Sequence, residues 1–117
     1  MSQLEEQLKR IGILESAGVV SKQAADFTRY AASVFCDRDY DSDSLETFIT
    51  HLAMASQRAI NKDAEAGYDE AVLESLKEEE GYQAALEIRD SLLEHCDIEF
   101  SDSERQFLLV HILNLLS

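Results

Sequence analysis

Apolar residues recur every three or four positions along most of the chain, a spacing that predicts amphipathic α-helices. Gly18 is suited to end the first helix, and Ser21 is suited to cap the second. Two polar stretches, 37–43 and 61–67, are predicted as loops. The pattern predicts six helical segments, at residues 2–17, 21–38, 44–61, 68–79, 82–96 and 102–116.

The third and last segments begin with capping signals. Asp43 and Glu46 form a capping-box-like start for the third segment, and Ser101 and Glu104 form a capping box for the last. A helix that is apolar almost all round is predicted to lie centrally in the core or at an oligomer interface. The last segment has this character, with Phe107, Leu108, Leu109, Val110, Ile112, Leu113, Leu115 and Leu116.

Composition agrees with a compact helical domain. The chain has 117 residues, no proline and only four glycines, and 45% of its residues are hydrophobic. This length suggests one domain, and this apolar fraction is enough to build a core. We therefore predict an all-α protein, a compact five- to six-helix bundle that spans residues 1–117 as a single domain.

The net charge of −14 argues against several classes of partner. Nucleic acids and anionic membranes attract Lys and Arg surfaces, so direct binding of either is not expected. No signal peptide is visible, and no apolar run approaches about 20 residues. Cys36 and Cys96 lack a CxxC spacing and are interpreted as reduced core thiols. These features predict a cytoplasmic protein.

Two histidines have charged residues seven positions away, a spacing that places both members of each pair on one helix face. His51 shares a face with Arg58, and Glu104 shares a face with His111. His51 is predicted to lie at the margin of the apolar stripe, within reach of solvent. The ordinary interpretation is a packing histidine, a surface arginine and a capping glutamate. His95, at a predicted helix end, is given no role.

The same two stretches resemble the signatures of a known family. "SLETFITHLAMASQRAIN" and "FSDSERQFLLVHILNLL" are similar, in order and spacing, to the two histidine motifs of the PTS regulation domain (PRD) family. The resemblance covers about residues 10–117. It implies a single stand-alone PRD-type domain, with a five-helix core at about 18–117 and an extra N-terminal helix within residues 1–17.

The resemblance implies a regulatory domain and not an enzyme. Family members accept phosphoryl groups from the sugar phosphotransferase system, through its phosphocarrier protein or its sugar-specific components, and phosphorylation changes dimer packing. The implied phosphoacceptors are His51 and His111, with Arg58 and Glu104 as phosphate-binding or orienting neighbours. Thr50 stands where family members often have Asp. The implied partners are the phosphocarrier or sugar-specific components and a second copy of the chain.

The chemistry of these residue types fits that role. A neutral imidazole offers a nucleophilic nitrogen near pH 7, and its other nitrogen can be held by a neighbour. The planar guanidinium of Arg58 could bind a transferred phosphate through two hydrogen bonds. No cofactor is expected, and no metal site is predicted because no CxxC or HExxH spacing occurs.

Two other interpretations remain open at this point. One is a helical interaction or dimerisation module that is never phosphorylated and needs only the apolar last helix. The other is a carrier protein, because "DSL" at residues 43–45 matches the attachment site of acyl carrier proteins, where Ser44 would hold a phosphopantetheine arm at a helix N-terminus. An acidic residue and a serine before a helix are also an ordinary cap.

Overall fold

The computed structural model describes residues 3–35, 41–62 and 70–116, and within these ranges the protein is all-helical. The six helices are α1 (Gln3–Ser16), α2 (Lys22–Phe35), α3 (Ser42–Asn61), α4 (Glu70–Leu76), α5 (Tyr82–Glu94) and α6 (Asp102–Leu116). The described residues contain no strand. This confirms the predicted fold class and the number of helices. Cys36 and most of the two predicted loops lie outside the described residues.

The cap between α1 and α2 follows the sequence prediction. Gly18 has a φ of +79°, a left-handed conformation that glycine adopts without strain. The N–H of Val19 donates to the carbonyl of Leu14 at 3.0 Å, which closes the end of α1 in a Schellman motif. Three residues later, the Ser21 hydroxyl accepts a hydrogen bond from the N–H of Ala24 at 3.3 Å. The predicted roles of Gly18 and Ser21 are thus confirmed.

The start of α3 was predicted incorrectly. Asp41, not Asp43, is the N-cap, and its carboxylate accepts the N–H of Ser44 at 3.0 Å. The sequence offers two aspartates two residues apart, and capping by the earlier one lengthens the helix while Asp43 enters its positive first turn. Residues 42 and 43 are therefore helical and not part of a loop. Glu46 closes no capping box but pairs with Arg10.

Helices α4 and α5 are shorter than predicted. Helix α4 ends at Leu76, before the acidic run Glu78–Glu80. Carboxylates are unfavourable at the negative end of a helix, so this run suits the turns that lead to Gly81. Helix α5 ends at Glu94, and Cys96 lies beyond it. The prediction of a helix through Cys96 was therefore wrong by two residues.

Helix α3 organises the core. It packs against α1, α2 and α6, while α1 also packs on α2 and α5 on α6. Its apolar face is almost completely buried, and so is the facing side of α6. This confirms that the apolar last helix is a central core element. No helix among the described residues is long and apolar enough to cross a membrane. The most completely buried large apolar side chains of the two helices are Leu45, Ile49, Leu52, Leu108 and Ile112.

Candidate functional site

The four residues singled out in the sequence meet across the α3–α6 interface. His51 of α3 faces His111 of α6, with their Nδ1 atoms 3.4 Å apart. Arg58 of α3 forms an ion pair with Glu104 of α6. From His51 to Arg58 the residue numbers rise by seven along α3, while those of their partners fall by seven along α6. The two helices therefore run antiparallel. The residues that share a face of one helix thus make their contacts with residues of the other helix.

The ion pair lies at the inner end of this interface. Arg58 donates from Nε to one Glu104 oxygen at 2.9 Å and from Nη2 to the other at 3.2 Å. The Glu104 side chain is fully buried, whereas that of Arg58 is 29% exposed. A bidentate guanidinium is well suited to compensate a carboxylate that has been removed from water. This pair therefore anchors the N-terminal turn of α6 to α3.

The predicted capping box of α6 is half correct. The Ser101 hydroxyl accepts the N–H of Glu104 at 3.2 Å, as expected for an N-cap. The hydrogen bonds that the Glu104 carboxylate accepts in the structure come from Arg58, one on each oxygen, and not from the cap. A carboxylate held in this way orients the arginine, and it influences His111 through its charge.

The imidazole pair lies at the open end of the interface. His51 is exposed and His111 is half-buried, and their ring centroids are 4.5 Å apart with the rings inclined by 58°. The His111 ring also stacks near Phe107 at 6.5 Å. The exposure of His51 agrees with the predicted position at the margin of the apolar stripe. The two rings share a cavity of about 280 Å³ with Asp43, Ser44, Thr47, Phe48, Asn114 and Leu115.

His111 is strongly biased towards its neutral form. Burial, together with the nearby His51 and Arg58, lowers the pKa of His111 from 6.5 to about 4, although Glu104 opposes this shift. At neutral pH the ring therefore carries one N–H and one lone pair. A hydrogen bond between the two Nδ1 atoms requires one to be a donor and the other an acceptor. The pair consequently has two tautomeric arrangements.

Arg10 is a residue near the site that sequence reasoning missed. It lies on α1 and donates to the Thr50 hydroxyl at 3.1 Å, and it also pairs with Glu46 at 2.8 Å. The Thr50 hydroxyl in turn donates to the Glu46 carbonyl at 2.9 Å. Thr50 is thus engaged with α1 and its own helix. Nothing in the local sequence around Arg10 indicates a partner 40 residues away.

The remaining sequence candidates have ordinary structural positions. Ser44 lies at the start of α3, where its N–H and its hydroxyl both bind the Asp41 carboxylate. His95 caps the end of α5, with its Nδ1 3.1 Å from the Ser91 carbonyl and its ring 5.1 Å from Tyr30. The Cys96 thiol is half-buried and is not part of a disulfide, and burial raises its pKa. Among the described residues, no group of three potential ligands could hold a metal ion.

Comparison with known families agrees with the geometry of this site. A model of the PRD domain family matches residues 32–115, which is more than half of the chain and includes all four residues of the two pairs. The chain belongs to the PRD domain family. Members are regulatory domains, generally non-catalytic, whose phosphorylation is linked to the phosphotransferase system. Neither a curated protein nor a solved structure matches the chain. Helix α1 lies outside the matched range.

Proposed function

We propose that this chain is a phosphoryl-accepting regulatory domain whose imidazole pair, His51 and His111, takes a phosphoryl group from the phosphotransferase system. The donor would be its phosphocarrier protein or one of its sugar-specific components. One observation carries the proposal. In a chain of the PRD family, two imidazoles line an open cavity with their Nδ1 atoms 3.4 Å apart. One of them, His51, is exposed to an incoming donor.

The chemistry needs an unprotonated ring nitrogen. Its lone pair attacks the phosphorus of a phosphorylated donor, the new N–P bond forms, and the donor's bond to phosphorus breaks with its electrons. The lowered pKa of His111 keeps that ring neutral at physiological pH, so it does not repel a partner imidazole. Arg58 lies close enough to influence His111, and its positive charge would favour a transferred phosphate nearby.

Phosphorylation would change the balance of charge at the α3–α6 interface. A phosphoryl group adds roughly −1.5 to −2 charges on a hydroxyl side chain, and a similar addition is expected on histidine. The new charge would compete with Glu104 for Arg58 in a chain whose net charge is already −14. A coupling on the order of 1–3 kcal/mol would suffice to switch a dimer or a partner contact. We therefore propose control of homodimerisation or of partner binding as the output.

The test is phosphorylation by the phosphorylated carrier protein, followed by detection of acid-labile label. Label is expected on the wild type, and it should disappear in the double variant His51→Ala, His111→Ala. His95→Ala is the matched control, because this third histidine belongs to a helix end away from the pair. No label on the wild type, or equal label on the double variant, would exclude the phosphoacceptor role.

The non-phosphorylated interaction module has less support from the packing. That interpretation depends on the apolar surface of α6, but most of that surface is used inside the chain. The residues of α6 that are buried within the chain are Glu104, Leu108, Leu109, Ile112, Leu113 and Leu115. A carrier role for Ser44 is also less favoured, because its hydroxyl already serves the helix cap.

A further inference from the structure

We propose that the two imidazoles have different roles: His51 accepts the phosphoryl group on Nε2, while His111 is a positioning residue that holds the Nδ1–H of His51. This inference rests on the proposed function and divides its chemistry between the two rings. It also limits the chain to one phosphoryl group at this pair.

In each ring the Nδ1 atom is already engaged by the other ring, and only Nε2 remains available. The two Nδ1 atoms face each other at 3.4 Å, so each Nδ1 is directed into the pair. The two nitrogens of an imidazole have divergent lone-pair directions, and Nε2 therefore points away from the partner ring. A phosphoryl group on either Nδ1 would have to occupy the space that the other ring already fills. Nε2 is the nitrogen that a donor can reach without separating the rings.

The two rings also differ in how well each is placed to be the nucleophile. In one arrangement the Nδ1–H of His51 donates to Nδ1 of His111, which leaves a lone pair on Nε2 of His51. In the other arrangement the donor and acceptor are exchanged, and the lone pair lies on Nε2 of His111. His51 is exposed and His111 is half-buried between α3 and Phe107. The first arrangement presents the lone pair on the more exposed ring, which a protein donor can approach more easily.

The charged and titratable groups around His111 agree with its role as a proton-accepting neighbour. His51 and Arg58 face it from α3, Glu104 lies on its own helix, and Asp43 lines the shared cavity. Burial and the positive charge of Arg58 keep the His111 ring neutral before transfer, when it must offer a lone pair. After transfer, the negative phosphoryl group on His51 would favour a proton on His111.

The proposed step moves one phosphoryl group to His51 and one proton to His111. The lone pair on Nε2 of His51 forms the new N–P bond, and the N–P bond of a phosphohistidine donor breaks with its electrons left on the donor nitrogen. The ring of His51 then carries a positive charge, which is relieved when its Nδ1 proton moves to Nδ1 of His111. His111 becomes an imidazolium with both nitrogens protonated. It has no lone pair, and so it cannot accept a second phosphoryl group.

The experiment labels the full chain with the phosphorylated carrier protein at neutral pH. Intact mass gives the number of phosphoryl groups, and ³¹P NMR identifies the ring nitrogen. We expect one group per chain, on Nε2 of His51. His111→Asn should keep this label, because the amide oxygen of Asn can replace Nδ1 as the acceptor. His111→Leu should be labelled about tenfold more slowly, as expected for a lost hydrogen bond, and partly on Nδ1.

The ring nitrogen is the readout that a merely structural role of His111 would not move. If a His111 variant fails to fold, ¹⁵N NMR of the wild-type imidazoles shows which nitrogen of His51 carries the proton. We expect that nitrogen to be Nδ1. Label on His111, or two groups per chain, would overturn the division of roles and leave the phosphoacceptor function intact. The absence of label from the wild type would overturn both proposals.

Discussion

The α3–α6 interface contains two side-chain pairs that differ in charge, in burial and in hydrogen bonding. Arg58 and Glu104 form an ion pair joined by two hydrogen bonds, and Glu104 is fully buried. His51 and His111 are joined by one contact of 3.4 Å and line an open cavity. Seven residues, or about 10 Å of helix, separate one pair from the other along each helix.

This difference assigns the two pairs to different tasks. A buried carboxylate cannot lose its partner without a large cost, so the ion pair fixes how α6 lies on α3. An exposed imidazole such as that of His51 could gain a phosphoryl group without unpacking the core, so its charge could change while the fold persists. The ion pair of Arg58 and Glu104, here called the inner pair, stabilises the interface. The imidazole pair of His51 and His111, here called the outer pair, can act on that interface.

The largest effect on stability is expected when one member of the inner pair is removed. Arg58→Met should lower the free energy of unfolding by about 3–5 kcal/mol, because the Glu104 carboxylate would remain buried without a compensating charge. Glu104→Gln should cost less, since the guanidinium of Arg58 is partly exposed and can turn towards water. Urea denaturation monitored by circular dichroism at pH 7 measures both values.

The double variant Arg58→Met, Glu104→Leu is the control for this prediction. Replacing both charges by apolar side chains removes the uncompensated carboxylate, and such replacements are often neutral or stabilising. The double variant should therefore recover most of the stability lost by Arg58→Met. A double variant as unstable as Arg58→Met would mean that the arginine contributes mainly through other contacts.

A second prediction concerns the pH dependence of the outer pair. The pKa of His111 is about 4 in the folded chain and about 6.5 in an unfolded one. Above pH 6.5 the ring is neutral in both states. Between pH 6.5 and pH 4 only the unfolded chain binds the proton, so stability falls as the pH falls. From pH 7.5 to pH 5 the expected loss from this group is about 1–2 kcal/mol.

The matched variant is His111→Asn, which keeps a polar acceptor but does not titrate. Carboxylates titrate in both proteins, so the difference between their unfolding free energies isolates the histidine. The wild type should lose more stability than the variant over this window, and the difference should flatten below about pH 4. Parallel pH curves for the two proteins would show that His111 does not stay neutral in the folded chain.

The sequence was sufficient for the helices but not for their relative placement. Helical periodicity and the caps at Gly18, Ser21 and Ser101 were read correctly, because those signals are local. The start of α3 was misjudged, because Asp41 and Asp43 satisfy the same local rule. Choosing between them depends on helix length and end charges that the pattern does not weigh.

The candidate site shows more clearly that local sequence patterns do not give the placement of one helix on another. Helical spacing correctly put His51 and Arg58 on one face of α3, and Glu104 and His111 on one face of α6. The cross-helix pairs depend on the antiparallel direction and register of α3 against α6, which no local pattern contains. Arg10 is the extreme case, because its partners Thr50 and Glu46 are fixed only when α1 docks on α3.

Arg10 also provides the smallest predicted effect and the sharpest test of why the inner pair matters. Its ion pair with Glu46, at 2.8 Å, is as close as that of Arg58 with Glu104 at 2.9 Å, but the side chains are 42% and 45% exposed. Exposed pairs contribute about 0–1 kcal/mol, because water screens the charges and the side chains lose entropy. Arg10→Met should therefore cost no more than about 1 kcal/mol, and less in high salt. If Arg10→Met cost as much as Arg58→Met, burial would not be what distinguishes the two pairs, and docking of α1 would be a further determinant of the fold.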